Sequence, residues 1–202
     1  MNKVGLKKTW YSAGTIKESF YTLNGKKHGE YRKFAEDGSI LISCTYHRGK
    51  ITGVLEESEE KAHRKLEYKD GKRHGIQFEY IDGKLSRKYF CEKNKLHGEY
   101  CIYHPDEQLA VKCNVENGLL SGKLIRYVDG NRKALYNYRK GKFHGECIKY
   151  EAKTHMVGYF CDGRPIKKWK EVDKNGKTIR NFISSQMLAT SIFQNIKWDI
   201  SM

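Results

Sequence analysis

One phrase, a glycine usually followed by lysine with a second glycine four residues on, returns along this chain at a nearly constant interval. Its first glycine falls at Gly25, Gly49, Gly71, Gly118, Gly141 and Gly163, with Asn94 in that place once, and the steps are 24, 22, 23, 24, 23 and 22 residues. The second glycine is Gly29, Gly53, Gly75, Gly98, Gly122 and Gly145, and Lys167 stands where a seventh would fall. Five residues beyond it runs an aromatic column, Phe34, Tyr80, Tyr103, Tyr127 and Tyr150, with Ser58 and Val172 in the two remaining places. A period of this length constrains the fold severely, because each repeat is one supersecondary unit that buries its apolar side only against its neighbours.

A second punctuation mark sits midway through most repeats. Asp37-Gly38, Asp82-Gly83, Asp129-Gly130 and Asn175-Gly176 are dipeptides that favour tight hairpins. Each repeat therefore reads as a β-hairpin, with one strand after the second loop glycine, as in EYRKFAE, and another after the Asp-Gly, as in ILISCTYH. The five residues from the first glycine to the second read as the joint between hairpins, where glycine supplies positive φ and lysine is a solvated turn residue. Side chains alternate along a strand, so positions three and five before each first glycine share a face. They read Tyr46 with Cys44, Tyr68 with Leu66, Cys91 with Tyr89, Val115 with Cys113 and Tyr138 with Tyr136, a face that is apolar in repeat after repeat.

The expected fold is all-β: an elongated single sheet of about seven stacked antiparallel hairpins over residues 1–178, roughly 65 Å long at about 4.8 Å per strand. Residues 1–24 read as an incomplete first repeat, with Trp10, Tyr11, Phe20 and Tyr21 on either side of Ser12-Ala13-Gly14. Repeat two lacks an Asp-Gly and carries the acidic cluster Glu56, Glu57, Glu59 and Glu60; it, HPDEQ (104–108) and EAKTH (151–155) imply longer turns. Beyond residue 178 the pattern changes. Leu188, Ile192 and Ile196 fall four apart, Ser184 or Ser185 can cap the start, and residues 179–202 are expected to form a helical cap over the apolar end of the repeat array.

Composition narrows the function classes. Lys and Arg outnumber Asp and Glu by 39 to 24, a formal charge of +15 that favours acidic partners. No signal-peptide core and no run of 18 apolar residues is present, so a cytoplasmic location is expected. The six cysteines, Cys44, Cys91, Cys101, Cys113, Cys147 and Cys161, show no CxxC pair and read as reduced thiols. His28, His74, His97 and His144 recur in the loops, but equivalent positions in adjacent repeats lie roughly 9–10 Å apart, too far for ligands that each approach one zinc ion to about 2 Å. No metal site and no cofactor is therefore expected. The glycine loops join strand to strand and lack the helix N-terminus that holds phosphate. GxSxG, HExxH and paired-carboxylate signatures are absent from the sequence, and a Cys101 with His104 dyad is better read as packing. The chain reads as a non-enzyme.

The pattern G-K-x-x-G-x-x-x-x-Y with a mid-repeat D-G, at a period near 23 over most of residues 6–178, resembles the MORN repeat in its variant form. The variant repeats are similar to those of bacterial YwqK-type antitoxins, and such repeats also occur in large DNA viruses and protists. That resemblance implies an immunity-like role, binding and silencing a toxin. Ordinary MORN repeats imply scaffolding at membranes, sometimes with phosphoinositide recognition. The favoured expectation is a protein-interaction scaffold whose basic and aromatic positions meet an acidic protein, with a peripheral scaffold on anionic lipid as the alternative. Nucleic acid ranks third, since no recognition motif is present.

Overall fold

The computed structural model describes residues 4–182, and every regular element among them is a strand. The chain divides after Gly118 into two compact units. Unit one holds β1 (Val4–Trp10), β2 (Ile16–Leu23), β3 (Lys26–Phe34), β4 (Ile40–His47), β5 (Lys50–Ser58), β6 (Ala62–Lys69), β7 (Lys72–Ile81), β8 (Lys84–Glu92), β9 (Lys95–Tyr103) and β10 (Leu109–Glu116). Unit two holds β11 (Leu119–Val128), β12 (Asn131–Arg139), β13 (Lys142–Phe143), β14 (Gly145–Tyr150), β15 (Thr154–Cys161), β16 (Arg164–Asp173) and β17 (Thr178–Phe182). Within each unit the sheet is an antiparallel meander in which each strand bonds to the next in sequence, except that β13 and β14 both pair with β12 as two pieces of one interrupted strand. The hairpin expectation holds, and the first, incomplete repeat is the hairpin of β1 and β2. β17 carries the sheet past residue 178, so residues 179–182 are strand where a helical cap was expected. The helix expected from Ser184 onward lies outside the described residues.

The joint between hairpins differs from the five-residue loop expected from the sequence. It is a two-residue turn with both φ positive: Asn24 and Gly25 at 50° and 79°, Asp70 and Gly71 at 53° and 79°, Asp162 and Gly163 at 48° and 86°. This is the type I′ geometry whose twist matches that of the flanking strands. The lysine after the glycine is already the first residue of the next strand. The second glycine then lies inside that strand, again at positive φ, 83° at Gly29 and 75° at Gly98. It marks a bulge. Thr22 pairs with Lys27 and Phe20 with Tyr31, so four residues of β3 span what two residues of β2 span. The same excess separates Thr52 from Glu56, Arg73 from Gln77 and Leu96 from Tyr100. On its other side the glycine pairs in regular register, Gly29 with Tyr46 and Gly53 with Tyr68.

Successive joints are fastened to each other by backbone. The N–H of Gly49 donates to the carbonyl of Lys27 at 2.7 Å, Gly71 to Ile51 at 2.9 Å, Asn94 to Arg73 at 2.9 Å, and Gly163 to Phe143 at 2.8 Å. The turn glycine also leaves its flank open to the residue that follows the previous turn. The Lys26 stem lies where a Cβ on Gly49 would be 3.7 Å away, and Lys50 stands likewise against Gly71 at 3.4 Å. The repeated lysine thus packs its stem while its ammonium remains in water.

The opposite hairpin ends use two designs. Asp82-Gly83 and Asp129-Gly130 are type I′ turns. Tyr11–Thr15, Ala35–Ser39, His104–Gln108 and Asp173–Lys177 are longer, each closed by a bond from its fourth residue to the carbonyl of its first. The turns at Glu59–Ala62 and Glu151–Thr154 are short, because Glu59 and Glu151 bond directly to Ala62 and Thr154. Only HPDEQ is therefore one of the long turns expected there. Of the acidic cluster, Glu56 and Glu57 are strand residues paired with Lys65 and Arg64.

The core is a spine of cross-strand neighbours along one face. In unit one it passes Phe20, Tyr31, Cys44, then Leu55, Leu66, Gln77, Tyr89, Tyr100 and Cys113. In unit two it includes Leu124, Tyr136, Cys147 and Gly158, whose missing side chain is replaced by the indole of Trp169. Leu124 and Trp169 are each 1% exposed. Burying a leucine this fully contributes about 1.5–3 kcal/mol. The expected pairs at positions three and five before the turn glycine lie on this face, with Cys44, Leu66, Tyr89, Cys91, Cys113, Val115, Tyr136 and Tyr138 buried. The aromatic column at Phe34, Tyr80, Tyr103, Tyr127 and Tyr150 is only half-buried.

Candidate interaction face

Alternation divides the side chains of unit one between the spine face and its reverse, and the two faces treat charge differently. On the spine face a second row runs beside the spine: Glu18, Lys33, Ile42, Glu57, Arg64, Glu79, Arg87, Ile102 and Val111. Its three cations and three carboxylates balance, and two of the cations meet a carboxylate of the same row. Arg64 meets Glu57 at 2.9 Å and Arg87 meets Glu79 at 3.3 Å. The spine tyrosines add to this, Tyr31 donating its hydroxyl to Glu18 at 2.9 Å and Tyr89 to Glu79 at 2.8 Å. Burial, with these carboxylates beside them, pushes both phenols well above their ordinary range. Near the first joint Lys27 holds its ammonium 3.9 Å from the Tyr31 ring centroid and within 5.3 Å of Tyr46.

The reverse face carries a row with one residue from each of ten strands: Lys8, Ser19, Arg32, Ser43, Glu56, Lys65, Phe78, Lys88, Cys101 and Lys112. Five cations stand against one carboxylate. Carboxylates from beside or within the row meet three of the cations: Glu30 at 3.2 Å from Arg32, Glu56 at 3.1 Å from Lys65, and Glu99 at 2.5 Å from Lys112. The bond from Lys112, with Lys88 nearby, holds the Glu99 carboxyl below the usual range. Phe34, Tyr80 and Tyr103 are two positions along the same strands from Arg32, Phe78 and Cys101, and so line this face. Phe78 and Tyr80 stack at 6.4 Å. Hollows open here between Ile76, Lys88, Phe90 and Glu99, and at the hairpin ends between Leu85, Tyr103, His104 and Pro105. The part of the aromatic column that lies in unit one thus belongs to the basic face, with its rings half-exposed.

The repeated loop residues have structural places. His28 Nδ1 accepts from the Arg48 N–H at 3.3 Å and His144 Nδ1 from the Asp162 N–H at 3.4 Å, each reaching the next joint. Cys101 is 3% exposed and its Sγ donates to Glu99 at 3.5 Å; burial raises its pKa, the reverse of what a thiolate nucleophile needs. The lysine row had a signal in the sequence. Lys65, Lys88 and Lys112 are 23 and 24 residues apart, one position of the repeat seen three times. Among the described residues no helix is long and apolar enough to cross a membrane. Neither the scan against models of protein families nor the search of curated proteins finds a match for this chain.

Proposed function

We propose that the chain is a non-enzymatic repeat scaffold that binds an acidic protein through the basic, aromatic-lined face of unit one. The observation that carries this reading is the contrast between two parallel rows: one sets three cations against three carboxylates, while the other sets five cations against one carboxylate. A uniformly anionic lipid surface is best met by unopposed cations. Here three cations carry carboxylates beside them and the rings border shallow hollows, a mixed pattern suited to the anchors and charge register of a folded protein. An antitoxin-like role is the specific form suggested by the resemblance to YwqK-type repeats, with a toxin as the acidic partner.

The test compares the parent chain with a Lys65→Glu, Lys88→Glu, Lys112→Glu variant. Each is used to capture protein from native lysate with washes at about 300 mM salt, and each is sedimented with anionic vesicles at about 50 and 300 mM, a range over which surface attraction is strongly screened. A specific protein retained by the parent and lost by the variant supports the reading. Vesicle binding that persists at the higher salt, with no protein retained, replaces it with a peripheral membrane scaffold.

A further inference from the structure

Each joint brings together three positions that are far apart in sequence: the residue three after one turn glycine, and the two residues that precede the next. At the first joint these are His28, His47 and Arg48, and the two imidazoles stand 5.0 Å apart. In unit two the same positions hold His144, Cys161 and Asp162, the one joint whose three residues are all of metal-ligand type. A donor atom of each lies within 4.8 Å of the others. We propose that His144, Cys161 and Asp162 form a binding site for a borderline-soft divalent cation of the zinc class.

The distance that separates equivalent histidines does not apply, since these three positions are not equivalent and converge at the bulge between β13 and β14 and the end of β15. His144 Nδ1 is 3.5 Å from Asp162 Oδ1. Two ligands at about 2.0–2.3 Å from one tetrahedral zinc are about 3.3–3.8 Å apart. The wider separation to sulfur closes by rotation of the exposed Cys161 side chain. Nδ1 already presents a lone pair to this space, where it accepts the long 3.4 Å bond from the Asp162 N–H. The turn is held from behind by the Gly163 N–H on the Phe143 carbonyl at 2.8 Å. Arg139 forks onto Asp162, Nη2 lying 2.9 Å from Oδ1 and 2.8 Å from Oδ2. It orients the carboxylate as outer partners of metal ligands do, leaving further lone pairs for a cation.

The donor set chooses the ion. Thiolate and imidazole favour zinc over calcium or magnesium, and three protein ligands leave a fourth position to water. On binding, the Cys161 thiol gives its proton to solvent and the thiolate sulfur bonds the cation. Cys44, Cys91, Cys101, Cys113 and Cys147 are all buried, whereas Cys161 is exposed.

Cobalt(II) is the probe, titrated into the full chain with thiols kept reduced by a phosphine. A near-ultraviolet thiolate-to-cobalt charge-transfer band should saturate at one cobalt per chain and disappear when zinc is added. Cys161→Ser should abolish it, and His144→Gln and Asp162→Asn should each raise the half-saturating cobalt concentration at least about 10-fold. Asparagine tolerates the positive φ of residue 162, so metal-free variants should unfold at the parent temperature, which separates lost binding from lost fold. No band in the parent, an equal band in Cys161→Ser, or parental titrations for the other two variants would each overturn the proposal.

Discussion

Trp169 occupies the space where a side chain on Gly158 would stand, so closely that an added Cβ would overlap its indole. Gly122 is constrained differently: its φ is +76° but nothing lies within 4 Å of an added Cβ. Gly158→Ala should therefore cost about 3 kcal/mol by displacing a buried ring, and Gly122→Ala about 1 kcal/mol of backbone strain alone. Urea midpoints of the two variants check the order, and a milder effect at Gly158 would mean the indole has room to move. The sequence announces Gly122 through its period, but Gly158 has no such mark, because its reason is a ring eleven residues away. The buried thiols add a pH dependence. Burial pushes Cys44 and Cys147 up to about 11 and Cys113 up to about 12, against about 8.5 in an unfolded chain. Between those values the unfolded chain holds fewer protons than the folded one, so stability falls as pH rises. The contribution is intact below about pH 8.5 and lost through about 11 to 12. Urea midpoints at about pH 7.5, 9 and 10.5 should decline in that order, and Cys147→Ala should flatten the decline.

At the scale of elements, the joint combines a two-residue turn with a bulge three residues later, and its sequence optimum differs between copies. Lys93 and Asn94 hold φ of 50° and 72° without a glycine. Asn94 compensates, because its Oδ1 accepts the Arg73 N–H at 2.7 Å. Lys93→Asn should then stabilise by about 0.5–1 kcal/mol, since asparagine suits the first position of this turn. Asn94→Gly should change little, the relief of strain being offset by the lost bond. A thermal shift of equal size for both would show that the side-chain bond contributes nothing. The period, the hairpins and the apolar positions before each turn glycine were legible because alternation and turn chemistry are local. Where the strands begin was not. A G-K-x-x-G string reads as a loop, and it becomes strand only because Lys27 finds Thr22 and Gly29 finds Tyr46 on opposite sides. The tightest column, two residues after the second glycine, was hidden by its variety: Tyr31, Gln77, Leu124 and Cys147 share burial and no chemical type. The basic row was only partly legible: Lys65, Lys88 and Lys112 keep the repeat spacing, while serine, glutamate and phenylalanine interrupt the rest.

Within each unit the contacts between strands run between neighbours in sequence, β14 joining β13 as a partner of β12. Stability is then a sum of local terms, as in other stacked repeats. Tyr31→Ala should lower hydrogen-exchange protection in β2, β3 and β4 while leaving β8 and β9 protected, read by mass spectrometry of peptides from each region. Uniform loss would show a cooperativity that nearest-neighbour packing does not supply. The net charge of +15 raised the expectation of an acidic partner. Which surface bears that charge could be read only once the register was known, because Arg64 and Lys65 are adjacent in sequence yet face opposite sides. The backbone fastening of one joint to the next has a consequence for how such a chain can change its length. Every joint presents the same donor and acceptor, the N–H of a turn residue and a carbonyl early in the strand that follows the previous turn. A segment running from one joint to the next can therefore be duplicated or deleted with both cut ends finding their customary partners. An insertion of one residue inside a strand turns every following side chain to the other face unless a bulge absorbs it, as β4 does where Ile42 and Ile40 oppose Lys33 and Phe34. Exchange of whole repeats is permitted by the bond, and resistance to single-residue shifts comes from the alternation of side chains.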